Sequence, residues 1–274
     1  MEFTSPEAEQ RFDAFRSALS EAAIGLDFDG TLSPIVVDPA EAHIHPEAPE
    51  VLEELATRVL SLAVITGRPA RQVLALGGLD EVGDSIGSGG HELHVYGQYG
   101  NEHWSSVERR IISPRPPAGL AAFLGALGST LCKSDAGDAL VEEKGLAVAV
   151  HTRRLPDSAE AYERLLPVLR ELADRHGLVL EPGRHVIEVR APGMDKGQVV
   201  RRVAEQSGAR AFLFAGDDRG DVEAFEAVAE LRGQGLATLL VCSLSQEESA
   251  LVERADVVVD GPGGVLDLLR ALMG

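Results

Sequence analysis

Cysteine is nearly absent from this chain: two residues in 274, Cys132 and Cys242, far apart. That excludes a disulfide framework and any Cys-x-x-Cys redox or zinc site. Cys242, inside Leu239-Leu240-Val241-Cys242, reads as core. Basic residues are also scarce, 25 against 44 acidic, a formal charge of −19. The deficit argues against nucleic acid and anionic membranes as partners. It also means that an anionic substrate must be met by a metal ion or a local basic pocket. No apolar run approaches the ~20 residues of a membrane span. The acidic, polar start MEFTSPEAEQRFDAF is unlike a signal peptide, so a reducing cytoplasm is the expected compartment. Low-complexity tracts are missing as well. What is present is core material, with 45% of residues hydrophobic, so global disorder is not expected.

Short apolar runs alternate with amphipathic stretches. Residues 22–28, 59–65, 82–88, 211–216, 236–242 and 256–260 read as buried strands. Helical patterns fall near 47–57, 69–76, 196–207, 220–232, 246–254 and 263–272. This alternation predicts an α/β fold with a Rossmann-like parallel sheet, whose ligands sit beyond the carboxyl ends of the strands. The middle of the chain breaks the rhythm. Residues 91–107 read as a hairpin around Gly97–Asn101, followed by the stiff Pro114-Arg115-Pro116-Pro117. Beyond it come helix 118–130, strands 139–143 and 146–151, helix 158–176, and strands 178–182 and 185–190. The order αββαββ predicts a separate α+β domain at 111–192 inserted into a core of 1–110 and 193–274, with Ala191-Pro192-Gly193 as the return hinge.

Four predicted strand or helix ends carry chemistry. In Ile24-Gly25-Leu26-Asp27-Phe28-Asp29-Gly30-Thr31, Asp27 and Asp29 are i and i+2 at a strand tip and share one side. Two carboxylates so placed repel each other unless one is protonated or a cation intervenes. A hard divalent ion such as Mg²⁺ suits oxygen ligands. An acidic strand-to-loop turn would give the same pattern. Thr66-Gly67-Arg68 follows the second strand, offering a hydroxyl and free N–H groups to a phosphate oxygen, or forming an ordinary turn. Lys196 opens a helix, against the helix dipole unless it faces an anion. Gly216-Asp217-Asp218-Arg219-Gly220-Asp221 ends another apolar strand. Asp218 or Asp221 could be a helix N-cap, whereas Asp217 at the strand tip has no capping role.

These segments together resemble the four motifs of the haloacid dehalogenase superfamily of phosphohydrolases, and the α+β insert resembles its larger type of cap. Val141-Glu142-Glu143-Lys144-Gly145-Leu146, His151-Thr152-Arg153 and Val186-Ile187-Glu188-Val189-Arg190 are similar to the cap segments of trehalose-6-phosphate phosphatases. There are departures from that family. Phe28 stands where Tyr is frequent and Thr66 where Ser is. Gly90-His91-Glu92-Leu93-His94 stands in place of its Gly-x-His-Gly-Leu-Glu, which leaves the exact sugar open.

The resemblance implies a phosphoric monoester hydrolase. It would act on a phosphorylated disaccharide, trehalose 6-phosphate, through an aspartyl-phosphate, with Mg²⁺ as cofactor and as a monomer. Asp27 would be the nucleophile and Asp29 the general acid and base. Thr66 and Lys196 would bind the phosphoryl oxygens, with Gly67 and Arg68 beside them. Asp27, the Asp29 carbonyl and Asp217 would hold the metal, with Asp218 and Asp221 behind or alternating. Glu142, Lys144, Arg153 and Glu188 would read sugar hydroxyls. Alternatives are the same chemistry on another sugar phosphate and a sugar phosphomutase. A non-catalytic sensor would have lost Asp27, Asp29 or Lys196, and all are present.

Overall fold

The computed structural model describes all 274 residues except 37, 184, 193, 194 and 245–250. The chain divides into two compact units, Met1–Ser113 with Asp195–Gly274, and Pro114–Met194.

The first unit is built on an eight-stranded sheet. Its parallel strands are β2 (Ala22–Leu26), β3 (Ser61–Ile65), β4 (Leu93–Gly97), β10 (Ala211–Gly216), β11 (Ala237–Leu244) and β12 (Val257–Asp260). The order across the sheet is β1-β12-β11-β10-β2-β3-β4-β5. The edges are closed by antiparallel strands, β1 (Glu2–Phe3) on β12 and β5 (Glu102–Ser105) on β4. From β2 the chain steps outward through β3 and β4, then returns to lay β10 on the other side of β2. The junction of β2 and β10 is thus a topological switch point, where a crevice opens beyond the strand ends.

Strand residues alternate between two cores, as a buried sheet requires. Ile24, Leu26, Val64 and Leu213 face helices α1 (Pro6–Ser17), α2 (Ala48–Ala56), α3 (Ala70–Gly77), α4 (Leu79–Ser88) and α9 (Gly261–Met273). Ala23, Ile65, Phe212 and Phe214 face α7 (Lys196–Ser207) and α8 (Val222–Gly233). The amino-terminal extension is tied in by β1, and by buried Asp256, which takes the Arg11 Nε–H at 2.7 Å and the Leu240 N–H at 2.9 Å.

One expected strand is a helix. Residues 82–88 lie in α4, whose buried positions are Leu79, Val82, Gly83 and Ile86. That spacing is helical rather than alternating, and Asp80 and Glu81 suit the first turn. The strand of this region is β4, inside the expected hairpin. The expected helix near 246–254 falls partly outside the described residues, and 252–254 form a 3-10 turn. Gly193 of the expected return hinge also lies outside them.

The second unit follows the αββαββ order: α5 (Ala118–Lys133), β6 (Leu140–Glu143), β7 (Ala147–His151), α6 (Ser158–Arg175), β8 (Val179–Gly183) and β9 (Val186–Arg190). Its antiparallel sheet runs β6-β7-β9-β8. Val148, Val150, Ile187 and Val189 pack with Phe123, Leu165 and Leu169 of the two helices. The alternate residues, including Glu142, Ala149 and Glu188 in one cross-strand row, belong to the opposite face.

Candidate active site

Asp27 leaves β2 and Asp217 leaves β10, side by side at the switch point. Each lies close in sequence to a glycine whose missing side chain leaves room for a carboxylate. Gly30 has φ +70°, and a Cβ there would overlap the Asp217 carboxylate. A Cβ on Gly216 would overlap the Asp221 carboxylate. Asp221 folds back on the strand tip, its Oδ2 accepting the Asp217 N–H at 3.1 Å. Lys196, the first residue of α7, reaches between the strands. Its Nζ donates to Asp27 Oδ1 at 2.5 Å and Asp221 Oδ1 at 2.6 Å, with all three side chains buried.

Asp27, Asp217 and Asp221 each offer an oxygen within 4.8 Å of the others. Three carboxylates against one ammonium leave two negative charges uncompensated in a buried place. The electrostatics register this excess. Burial opposes the Lys196 ammonium, but Asp221 and Asp27, with Asp218 beyond, outweigh it and hold its pKa well above the usual lysine range. Burial, then Asp27, Asp218 and Asp221, push the Asp217 carboxyl up to about 10, with Lys196 opposing. Burial likewise drives Asp27 upward, relieved by Lys196 and reinforced by Asp221, Asp29 and Asp218. Oxygen ligands with two negative charges to spare fit one hard divalent cation such as Mg²⁺.

The other residues singled out in the sequence separate into distinct settings. Asp29 is outside the carboxylate cluster. Both of its oxygens accept hydrogen bonds from Arg68, Nε to Oδ2 at 2.6 Å and Nη2 to Oδ1 at 2.7 Å. Asp218 is exposed and caps the 219–221 turn, its Oδ1 accepting the Gly220 N–H at 2.8 Å. Thr66 is buried at the tip of β3, where its Oγ1 accepts the Arg68 N–H at 3.1 Å and keeps its own hydrogen to donate. Gly67 lies directly against the Tyr99 ring.

In the second unit, Lys144 Nζ donates to Glu188 Oε2 at 2.6 Å, and Glu142 Oε2 is 3.0 Å from His151 Nε2. Glu188 is buried, and among the described residues its Oε1 has no hydrogen-bond partner. Arg153 is exposed in the turn after β7.

The segment Gly90–His94 is not at the site. Leu93 pairs with Leu62 at the start of β3, so 90–94 lies at the opposite end of the sheet from Thr66. The tip of β4 carries Gly97-Gln98-Tyr99-Gly100-Asn101-Glu102 instead. This has the spacing of the Gly-x-His-Gly-Leu-Glu frame, with Tyr99 where that frame has His and Asn101 where it has Leu. Gln98 and Tyr99 both have left-handed backbones, φ 47° and 57°. The Gln98 N–H donates to Arg68 O and the Tyr99 N–H to Thr66 O, while Glu102 Oε2 accepts the Ala70 N–H at 2.6 Å. The loop therefore braces Thr66-Gly67-Arg68. The signal for it was present in the Gly-x-x-Gly-x-Glu spacing after an apolar strand, but mistaking α4 for a strand moved the frame by a few residues.

Comparison with known proteins gives a consistent picture. The trehalose-phosphatase family model matches residues 25–113 and 133–257. A Mycobacterium tuberculosis protein named as an uncharacterized glycosyl hydrolase is 32% identical over 82% of this chain. Trehalose-phosphate phosphatase B of Arabidopsis thaliana is 31% identical over 86% of it. The chain spans 17% of the length of the first and 64% of the second. Among solved structures, the C-terminal domain of Candida albicans trehalose-6-phosphate phosphatase superimposes with a TM-score of 0.76 at 19% identity, covering 99% of this chain and 98% of that one. The fold is that of the haloacid dehalogenase-like hydrolases.

Proposed function

The chain belongs to the trehalose-phosphatase family, and from that premise we propose that it is a Mg²⁺-dependent phosphatase releasing inorganic phosphate from trehalose 6-phosphate. The observation that carries the chemistry is the buried Asp27–Asp217–Asp221 group with Lys196 as its counter-charge among the described residues. Asp27, Asp217 and Asp221 would hold the metal. When bound, it supplies positive charge for the phosphoryl oxygens.

Asp27 is the nucleophile. One carboxylate oxygen forms a bond to phosphorus as the phosphorus–sugar oxygen bond breaks, giving an aspartyl-phosphate and splitting one difficult step into two. Asp29 gives a proton to the departing sugar oxygen. It then takes one from the water that attacks the aspartyl-phosphate, which restores the Asp27 carboxylate and frees inorganic phosphate. Lys196 keeps its proton throughout and, with the Thr66 hydroxyl, meets the transferring oxygens. Burial of Lys196 and Thr66 keeps water from weakening those bonds.

Recognition of the sugar is assigned to Glu142, Lys144, Arg153 and Glu188. The support is Glu188, a buried carboxylate with one oxygen satisfied by Lys144 and the other without a partner among the described residues. A sugar hydroxyl is the kind of donor that such an oxygen lacks. A second reading, the same chemistry on a different disaccharide phosphate, is favoured by Tyr99 standing in the histidine position of the β4 loop.

The test is phosphate release from a panel of sugar phosphates with Mg²⁺, alongside Asp27→Asn. Release mainly from trehalose 6-phosphate, lost in the variant, is the expected result. Release mainly from another sugar phosphate establishes the second reading. No Mg²⁺-dependent release from any member overturns the proposal.

A further inference from the structure

We infer that Arg68 is a positioning residue for Asp29 and not a ligand of the phosphoryl group. The inference rests on the reading of Asp29 as the residue that exchanges the proton. Arg68 and Asp29 leave neighbouring parallel strands, β3 and β2, which run level with Leu26 beside Val64. The guanidinium presents its Nε and Nη2 edge to both carboxylate oxygens, at 2.6 and 2.7 Å. Its remaining nitrogen, Nη1, donates to the Pro39 carbonyl at 2.8 Å. The backbone of Arg68 is held at both ends, its N–H by Thr66 Oγ1 and its carbonyl by the Gln98 N–H. Every nitrogen of the side chain has a partner, and its charge is matched by the carboxylate it grips.

A phosphate-binding arginine needs an open fork, because two parallel N–H bonds to one acceptor give the pair its strength and direction. Here that fork is filled. The cation of this site whose charge is turned toward the carboxylate cluster is Lys196, not Arg68. What the fork does provide is orientation. Asp29 is the more open partner, its side chain 32% exposed against 13% for Arg68, and an unsupported aspartate there would rotate freely. The two bonds fix the plane of the carboxyl. They also leave a second lone pair on each oxygen, since a carboxylate has about four acceptor positions and the fork takes two. Arg68 therefore aims the group without using up the positions that exchange a proton. Lysine, a point charge with rotatable donors, cannot hold both oxygens in one plane.

A leaving group that needs no proton removes the acid role of Asp29 from the first step, so its pre-steady-state release reports phosphate binding and attack alone. The wild-type enzyme, Arg68→Ala, Arg68→Lys, Asp29→Asn and the double variant are assayed on p-nitrophenyl phosphate and on the sugar phosphate that the wild type hydrolyses best. The inhibition constant of inorganic phosphate is measured for each. General acid–base catalysis contributes about 10² to 10⁴. Arg68→Ala is therefore expected to lower kcat on the sugar phosphate by about 100-fold, while the pre-steady-state rate of p-nitrophenol release, which precedes aspartyl-phosphate hydrolysis, changes by less than about 3-fold. KM and the phosphate inhibition constant stay within about 3-fold. Arg68→Lys recovers part of the loss. The double variant is no slower than Asp29→Asn, because Arg68 acts through that carboxyl.

Should Arg68→Ala fail to fold, Arg68→Lys carries the test, with the same preferential loss on the sugar phosphate. A comparable loss in the pre-steady-state release of p-nitrophenol, a weakened phosphate inhibition or additive effects in the double variant would overturn the inference and make Arg68 a phosphate ligand. If the wild type hydrolyses neither substrate, the proposed function falls and this inference falls with it. If it hydrolyses both and the split is absent, this inference alone falls.

Discussion

The two units solve opposite problems with the same residue types. Beyond β2 and β10, Lys196 is 5% exposed between Asp27 at 6% and Asp221 at 0%, and the local charge does not balance. On the sheet of the second unit, Lys144 at 16% meets Glu188 at 9%, and Glu142 at 38% meets His151 at 23%, each acid with a cationic or ionisable partner. An excess of buried negative charge costs stability unless a cation offsets it. These charges of the second unit are paired, with the Glu188 Oε1 left over among the described residues, and such a surface suits a neutral polyol, which offers hydroxyls and no charge. On the function proposed above, bond-breaking falls to the first unit and recognition to the second.

The largest expected effect tests that division directly. Asp27→Asn should lower kcat by about 10⁴-fold or more on every phosphate ester, good or poor leaving group alike, as removal of a nucleophile does. A stopped phosphate assay with purified variant and wild type measures it. Residual turnover within about 100-fold would place the nucleophile elsewhere.

Next comes the charge excess itself. Without metal, folded Asp217 keeps its proton up to about pH 10, while the unfolded chain loses it in the ordinary carboxylate range. Between those limits the folded state binds more protons, so stability falls as pH rises. Thermal melts in chelator should show that decline across neutral pH. Mg²⁺ at a hundred times its dissociation constant should restore about 2.7 kcal/mol, a rise of several degrees in Tm. Asp217→Asn should flatten the decline and remove the Mg²⁺-dependent rise. A variant that still gains stability from Mg²⁺ would mean that the metal binds outside this cluster.

A smaller, more selective effect is expected in the second unit. Glu188→Gln removes the charge facing Lys144 and changes the acceptor offered to a sugar. Hydrogen bonds to charged groups are worth about 1.5–3 kcal/mol, so kcat/KM on the sugar phosphate should fall by about 10- to 150-fold. Turnover of p-nitrophenyl phosphate, which has no sugar to recognise, should change by less than about 3-fold. A parallel loss on both would erase the division between chemistry and recognition.

Much of this was legible before any coordinates. Apolar runs ending in Asp27 and Asp217, and the helix that opens at Lys196, are local signals that the fold leaves in place. The αββαββ insert was equally plain, because helical and alternating periods differ sharply there. Residues 82–88 misled because a short apolar stretch does not distinguish strand from helix. Only the Leu79, Val82, Gly83, Ile86 spacing decides, and it displaced the β4 loop in the reading. The Arg68–Asp29 fork was not legible at all. Sequence separates those residues by 39 positions, and their meeting depends on the pairing of β2 with β3. Asp221 read as a cap or an alternate ligand, but its burial between Lys196 and the β10 tip follows from how α7 and β10 converge.

Asp218 gives the smallest effect and the finest cut through the first unit. It neighbours Asp217 in sequence, yet its carboxylate points to the Gly220 N–H and closes a reciprocal cap with Asp221. Loss of such a cap costs about 0.5–2 kcal/mol. Asp218→Ala should therefore lower Tm by a few degrees, while kcat and the Mg²⁺ dependence of activity move by less than about 3-fold. Asp218 also adds to the charge that raises Asp217, so the Tm decline with pH should become slightly shallower in the variant. A large rise in the Mg²⁺ concentration needed for half-maximal activity would instead make Asp218 a metal ligand. The buried group would then extend to the exposed rim of the β10 loop. Adjacent aspartates of the same turn thus mark where the buried charge excess ends and ordinary surface capping begins.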